Sequence, residues 1–588
     1  MAAAPVHVWE KREISLKAEK TYKNPYTEVD VWVDLEGPGF HKRVYGFWDG
    51  GAVFRVRVLA TAPGAWRWTS GSNPRDSGLG GKSGSFPAVA WSEEEKAANI
   101  CRRGFVRATP NGHAFEHADG TPCFLLGDTW WAAGTFRFRW TDDDASHSIG
   151  PEATFKDYVR FRKSQSFNSL AILAAFPSWA NDGQPATLSM NDPQKTIVRS
   201  AWAQPGTASA KDMHNEGGRP FFFPGRVPGF EDVFPDVERI NPAYFQHLDK
   251  KLDYLNAQGF IPFLEVARRD VSTVWKKYYP WPDSYARYIQ YVFSRYQANN
   301  MLLSPIHFDT PSQSIPAREY SPAVNLAYAR TGPPPFGTLV STNSNPSSLV
   351  NFGSGEDARW LTFHQTGNQR EHEFYWHHTE VFWAKPALPS VTGEPYYAGI
   401  WYKPGVENTY SAPGNSEKDN FFCRSVMYGN FLSGGLGGHI YGADGIWQAS
   451  IEPQAEPKMW EAFLWKSAAE IPQFRAFVFS EGRRYQDLIP AADYILPNSN
   501  SLLRGYEGWA FCSRTQEKDL FLAYLEKDCP RVTVRSALPN AAYVARWFNP
   551  RSGEWTGAGT LRANVAGRIQ IPPAPSAEDW ALSLKLAP

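Results

Sequence analysis

Eight short apolar runs punctuate the middle of the chain: Cys123 to Gly127, Leu170 to Ala174, Phe260 to Leu264, Leu302 to Phe308, Thr338 to Ser341, Trp360 to Phe363, Ser390 to Gly393 and Gly438 to Tyr441. Amphipathic stretches separate several of them. One opens at Asn241-Pro242, a capping side chain followed by proline at the first helical position. It buries Phe245, Leu248, Leu252 and Leu255 before Gly259 ends it. Another puts Tyr285, Tyr288, Ile289, Val292, Phe293 and Tyr296 on one face. Strand-then-helix units in this number predict a closed parallel (β/α)8 barrel, the TIM barrel, with an open doubly wound sheet as the alternative. Neither a GxGxxG turn nor a P-loop follows any of the runs, which argues against a nucleotide-binding version.

Outside this region the period is two. Val29, Val31, Val33 and Leu35 alternate with polar residues, as do Phe54, Val56 and Val58 after the turn Asp49-Gly50-Gly51. Val532 and Val534, then Tyr543, Ala545 and Trp547, repeat the pattern ahead of the turn Asn549-Pro550-Arg551-Ser552-Gly553. The expected organisation is an N-terminal antiparallel β-sandwich over residues 1–97, the α/β barrel over 98–478 and a C-terminal antiparallel β-sandwich over 479–588.

Sixty basic and 60 acidic residues leave no net field to draw nucleic acid or an anionic membrane, so a neutral or weakly charged ligand fits better. Aromatic residues make up 15% of the chain. Flat amphipathic rings stack on the apolar faces of sugars, although sandwich cores account for about half of this excess. The five cysteines form neither a zinc pattern nor a disulfide framework; a bridge between Cys512 and Cys529 is the one pairing singled out. No run is long enough for a membrane span. The start Met-Ala-Ala-Ala-Pro lacks the basic and apolar parts of a signal peptide. The expectation is a periplasmic or extracellular protein whose leader is not part of this chain, with a cytoplasmic location left open. Oligomeric state is not legible.

In a barrel the C-terminal strand ends carry the active site. The polar residues there are Asp128, Glu265, Asp309, Gln365 and Glu394, with His439 and Tyr441 in the last run. Glycosidic cleavage needs two carboxyls, one protonated and one ionised. Asp309 and Glu394 end separate runs, so they can face each other across a pocket that drives their pKa values apart.

The segment Leu125-Leu126-Gly127-Asp128-Thr129-Trp130-Trp131 resembles the first strand of the apiosidase-like glycoside hydrolases, relatives of a large retaining clan. Asn241-Pro242-Ala243-Tyr244-Phe245, Leu361-Thr362-Phe363-His364-Gln365, Gly393-Glu394-Pro395-Tyr396-Tyr397 and Gly438-His439-Ile440-Tyr441-Gly442 with Ile446-Trp447 resemble later blocks in the same order. The flanks resemble the module that precedes such barrels and a collagen-binding-like domain. The resemblance implies Glu394 as nucleophile and Asp309 as acid/base. The fourth run departs from the family: it reads Ile306-His307-Phe308-Asp309 where the family shows Gly-Asp or Asn-Glu, between Pro305 and Pro311. Proline in a buried strand implies a bulge or an early end, and Glu265 is the reserve acid.

Trp130, Trp131, Trp179, Trp401 and Trp447 follow runs and are candidate sugar platforms, or alternatively caps of the core. Asp128 is expected to accept from a sugar hydroxyl or else to hold an arginine or a backbone N–H, and Tyr397 joins the binding set. His439 and Tyr441 alternate, so both are expected to face the pocket; of the adjacent His364 and Gln365 only one can. No cofactor is expected and no metal. His372, His377 and His378 fit no zinc spacing, and Asn181-Asp182-Gly183 reads as a turn. The aperiodic insert from about Trp179 to Val237 is expected to wall the barrel mouth, which favours removal of terminal sugars from a polysaccharide or oligosaccharide. The expected activity is a retaining, exo-acting glycoside hydrolase. The alternatives are a non-catalytic carbohydrate- or matrix-binding protein on the same scaffold and, more distantly, a polysaccharide lyase.

Overall fold

The computed structural model describes residues 6–175, 213–228, 231, 234–309, 314–367, 372, 374–406, 410–498 and 505–588. At its centre lie seven parallel strands: β1 (Leu125–Thr129), β2 (Ser169–Leu173), β3 (Phe263–Glu265), β4 (Leu302–Ser304), β5 (His364–Gly367), β6 (Ser390–Glu394) and β7 (Gly438–Tyr441). They are ordered β4-β3-β2-β1-β7-β6-β5. Past the β4 edge, Leu303 N–H donates to Leu339 O and Ser341 N–H to Leu303 O, both at 3.0 Å, while Thr362 N–H reaches Val340 O at 2.8 Å just ahead of β5. Residues 339–341 thus link the two edges of a curled parallel sheet.

Two of the expected strands differ. Thr338 to Ser341 makes these isolated bonds in place of a ladder, and the run Trp360 to Phe363 precedes its strand, which begins at His364. Trp360 packs on Phe352 with ring centroids 5.3 Å apart, so its apolar character serves the layer outside the sheet. Strand β4 stops at Ser304, directly before Pro305 and its missing donor. The chain re-enters the sheet at His307 and Phe308, which bridge Arg268 and Ser344.

Alternation gives the sheet two buried faces. Leu125, Ala171, Leu173, Phe263, Leu302, Val391 and Ile440 form the inner core. Leu126, Leu170, Ile172, Leu264, Leu303 and Tyr441 join the outer one. Among the outer helices are α1 (Phe155–Ser164), α2 (Pro242–Ala257), α3 (Asp283–Tyr296), α4 (Phe374–Trp383) and α5 (Glu417–Leu432). Helix α2 starts as its sequence predicts: the Asn241 side chain accepts from Ala243 N–H at 3.1 Å, and Gly259 leaves at φ 84°.

The N-terminal flank is a five-stranded sheet facing a three-stranded one around Val31, Val33, Leu35, Val56, Val58 and Trp66; only Val6–His7 pairs in parallel. The C-terminal flank sets six antiparallel strands against three. Buried ion pairs fasten both. Arg57 of the N-terminal flank reaches the Asp249 carboxylate of α2 at 3.0 and 2.5 Å, and Arg295 of α3 grips the same group at 2.9 and 2.6 Å. Arg424 of α5 reaches Asp579 of the C-terminal flank at 2.9 and 3.0 Å. Tyr485 and Leu488, expected in the C-terminal unit, pack in the central core, and Gln486 donates to Phe115 O at 2.7 Å. Cys512 and Cys529 are free thiols, so the bridge between them is not formed. Trp179, Asn181-Asp182-Gly183 and much of the insert lie outside the described residues.

Candidate active site

Glu265 ends β3 two residues after the inward Phe263, so alternation turns it inward. Glu394 needs a different device. Val391 is inward, and strict alternation would send Glu394 outward, but the β5/β6 register slips so that Gly367 pairs with Glu394. Such a bulge re-aims a side chain. The result places four ionisable groups together. His307 Nδ1 lies 2.5 Å from Glu265 Oε2, and its Nε2 lies 3.4 Å from Asp309 Oδ1 and 3.9 Å from Glu394 Oε2. Asn343 Nδ2 donates to Glu394 Oε2 at 3.0 Å. Arg269 ion-pairs with Asp309, with Arg268 Nη2 3.9 Å from the other carboxylate oxygen. Trp131 meets the His307 ring edge to face at 4.5 Å. All four ionisable groups are buried.

Burial, and after it the neighbouring Glu394, pushes the Glu265 carboxyl well above the usual carboxylate range. Burial, then Arg268 and Arg269, holds the His307 imidazole well below its ordinary value, so it is neutral. His307, Asp309 and Glu394 also offer ligand atoms within 4.8 Å of one another, a spacing a cation could use. The guanidinium groups of Arg268 and Arg269 already bring positive charge to this spot. The three histidines weighed as ligands in the sequence diverge: His372 meets Glu526, His377 meets Glu380, and His378 meets Ser390.

Several expected binding residues face the other way. Asp128 is fully buried on the outer face, where Arg162 Nε and Trp130 Nε1 donate to it at 2.7 and 2.9 Å. It therefore holds an arginine, the second of its two expected roles. Trp130 is core, packed on Phe138, Phe155, Tyr158 and Phe463. His439 and Tyr441 do share a face, but Ile440 between them is the inward residue. The Tyr441 hydroxyl meets Ser467 at 2.9 Å, and burial lowers His439 to about 3. Of the adjacent pair on β5, His364 turns out to Ser348 and Gln365 turns in beside Gly393. Tyr397 is buried against Gly442, and Trp447 is half-buried. Trp401 is 59% exposed at φ 58°, a strained conformation for a bulky residue. Sequence reasoning missed His307 and Asn343. For His307 a signal existed, since alternation puts it on one face with Asp309.

Carboxyls gathered at the C-terminal ends of a curled parallel sheet are the equipment of a glycosidase. The family described as "Apiosidase-like, catalytic domain" matches residues 109–482, and the chain belongs to this family of glycoside hydrolases. Residues 5–73 match a domain of unknown function (DUF5060) and residues 496–585 the "Putative collagen-binding domain of a collagenase". Among solved structures, a "putative glycoside hydrolase from Bacteroides vulgatus ATCC 8482" is 16% identical with a TM-score of 0.64, covering 100% of both chains. A "glycoside hydrolase family 5" protein from the same organism is 14% identical with a TM-score of 0.57, covering 82% of this chain and 94% of its own. At such identities the likeness is one of fold. No curated protein matches the chain.

Proposed function

We propose that this glycoside hydrolase works with retention, Glu394 attacking the anomeric carbon and Asp309 protonating the leaving oxygen. The observation that carries the reading is the spacing of the two side chains, whose facing oxygens lie within 4.8 Å of each other. Retaining pairs sit about 5 to 5.5 Å apart, whereas inverting pairs leave about 6.5 Å or more for a water. Asn343 supports the nucleophile role, because a donor on Glu394 Oε2 orients the attacking carboxylate. On this reading residues 338–344 supply the missing strand of a (β/α)8 barrel, and Trp131, Gln365, Tyr397 and Trp401 contact sugar. The deep burial of both carboxyls favours a terminal sugar entering a pocket over a chain lying in a cleft. The test is proton NMR of the anomeric centre in the first-formed product. Retention is expected, and first-formed sugar of inverted configuration would overturn the assignment.

A further inference from the structure

The carboxyl pair does not account for Glu265 and His307. An acid/base carboxyl must carry a proton at the moment the glycosidic bond breaks. Asp309 rests in an ion pair with Arg269, with Arg268 close behind, so that proton has to be brought to it. The His307 ring lies beside it, and its two nitrogens face different carboxyls: Nδ1 faces Glu265 at 2.5 Å and Nε2 faces Asp309 at 3.4 Å. From this geometry we infer that Glu265 stores the proton and His307 relays it to Asp309. The inference rests on the assignment of Asp309 and Glu394 above.

The step balances as follows. Glu265 gives its carboxyl proton to Nδ1, Nε2 gives its own proton to Asp309 Oδ1, and the ring returns neutral in the other tautomer. Asp309 then protonates the leaving oxygen as Glu394 bonds to the anomeric carbon. When water displaces Glu394, Asp309 takes the water's proton and the relay runs backward. Among the described residues, the groups facing the ring are Glu265 from β3, Arg268 and Arg269 after it, Asn343 from the linking segment, Asp309, Glu394 from β6, and Trp131. Burial that keeps Glu265 protonated and His307 neutral supplies the required starting state. The 3.4 Å gap shortens to a hydrogen bond once substrate closes the site, as catalytic contacts in empty sites do. Glu265 and His307 act through Asp309 and are positioning residues.

Glu265→Gln is the decisive variant, because an amide keeps a hydrogen bond to Nδ1 but has no proton to pass on. A merely structural Glu265 would be satisfied by it. On a panel of 2,4-dinitrophenyl glycosides, whose leaving group needs no acid, Glu265→Gln and His307→Gln should keep rates within a few-fold of the parent. On the phenyl glycoside of the responding sugar they should lose about a hundredfold or more, with the alkaline limb of kcat/KM moved down by about one pH unit. Equal losses on both substrates, or none on the phenyl glycoside, would overturn the relay. Should Glu394→Gln also remain active, the carboxyl-pair assignment itself falls, which separates the two failures. Two readouts need no substrate. Infrared difference spectra at neutral pH should show a protonated-carboxyl band in the parent that Glu265→Gln lacks. Nitrogen-15 NMR should show His307 neutral with its proton on Nε2. A missing band, or a proton on Nδ1, overturns the relay whatever the kinetics.

Discussion

On the proposed assignment, removing a charge from Glu394 or Asp309 takes away a group used in the transition state while leaving its volume in place. Glu394→Gln and Asp309→Asn should each lower kcat by roughly a thousandfold on the phenyl glycoside; both should still melt cooperatively, Asp309→Asn at a lower temperature because Arg269 loses this carboxylate. An Asp309→Asn variant with near-normal turnover would move the acid role to Glu265. Asp249 is the opposite case, a buried carboxylate that serves stability. Burial pushes it up, but Arg295 and Arg57 outweigh that and hold it well below the usual carboxylate range. A carboxyl depressed on folding contributes fully above its unfolded value of about 4, and that contribution is lost as pH falls through the folded value. The Asp249 share of stability should therefore be constant from neutral pH to about 5 and fall away below about 4. Asp249→Asn should be less stable at neutral pH and show a shallower acid drop; an unaltered acid profile would mean that other carboxyls dominate.

The bulge that turns Glu394 inward is crowded. A Cβ on Gly367 would sit 2.3 Å from Asn343 Oδ1, so Gly367→Ala must displace the side chain that donates to Glu394. Turnover should fall by about tenfold or more through loss of one preorganised donor. A small change in melting temperature is expected, since the displaced group is a side-chain tip; normal turnover would mean that Asn343 does not matter. This bulge also marks where reading the sequence stops. The strand-end rule found Glu265, Asp309 and Glu394, because polar residues closing apolar runs stand out. It could not tell in from out. A parallel strand covered on both faces has no polar side to orient it, so alternation alone leaves the two roles of Asp128 open and places His439 and Tyr441 together without saying on which face; Gly127 and Ile440 hold the inward positions. The run at Trp360 was misplaced for a similar reason, its apolar residues answering to helices rather than to the sheet. His307 reads as a departure from a family pattern, and its one signal, alternation onto the face of Asp309, is masked by the prolines that interrupt the run.

The flanking units touch the machinery more closely than core alternation alone suggests. Tyr506 of the C-terminal flank packs on Tyr396, two residues past Glu394, with centroids 6.0 Å apart. Trp509 stacks on His372 at 3.9 Å, and Glu526 Oε1 meets the same imidazole at 2.8 Å. Deleting everything from Phe479 onward should therefore abolish folding as well as turnover, because Tyr485 and Leu488 leave the central core with it. Circular dichroism of the truncated chain checks this; a cooperative melt with normal turnover on a small glycoside would show the flank to be dispensable. Asp579→Ala, which removes one of the two carboxylates on Arg424 and leaves Glu470 at 2.8 Å, should cost about 1.5–3 kcal/mol in denaturant unfolding.

The pairing of Arg424 with Asp579 spans 155 residues of sequence. Ribosomes add about 5–20 residues per second, so the guanidinium emerges on the order of ten to thirty seconds before its carboxylate exists. During that interval the Arg424 charge rests on Glu470 alone, whose carboxylate accepts from Nη1 at 2.8 Å. The central unit can thus hold the guanidinium on one carboxylate first and exchange a single clamp for a double one when Asp579 arrives.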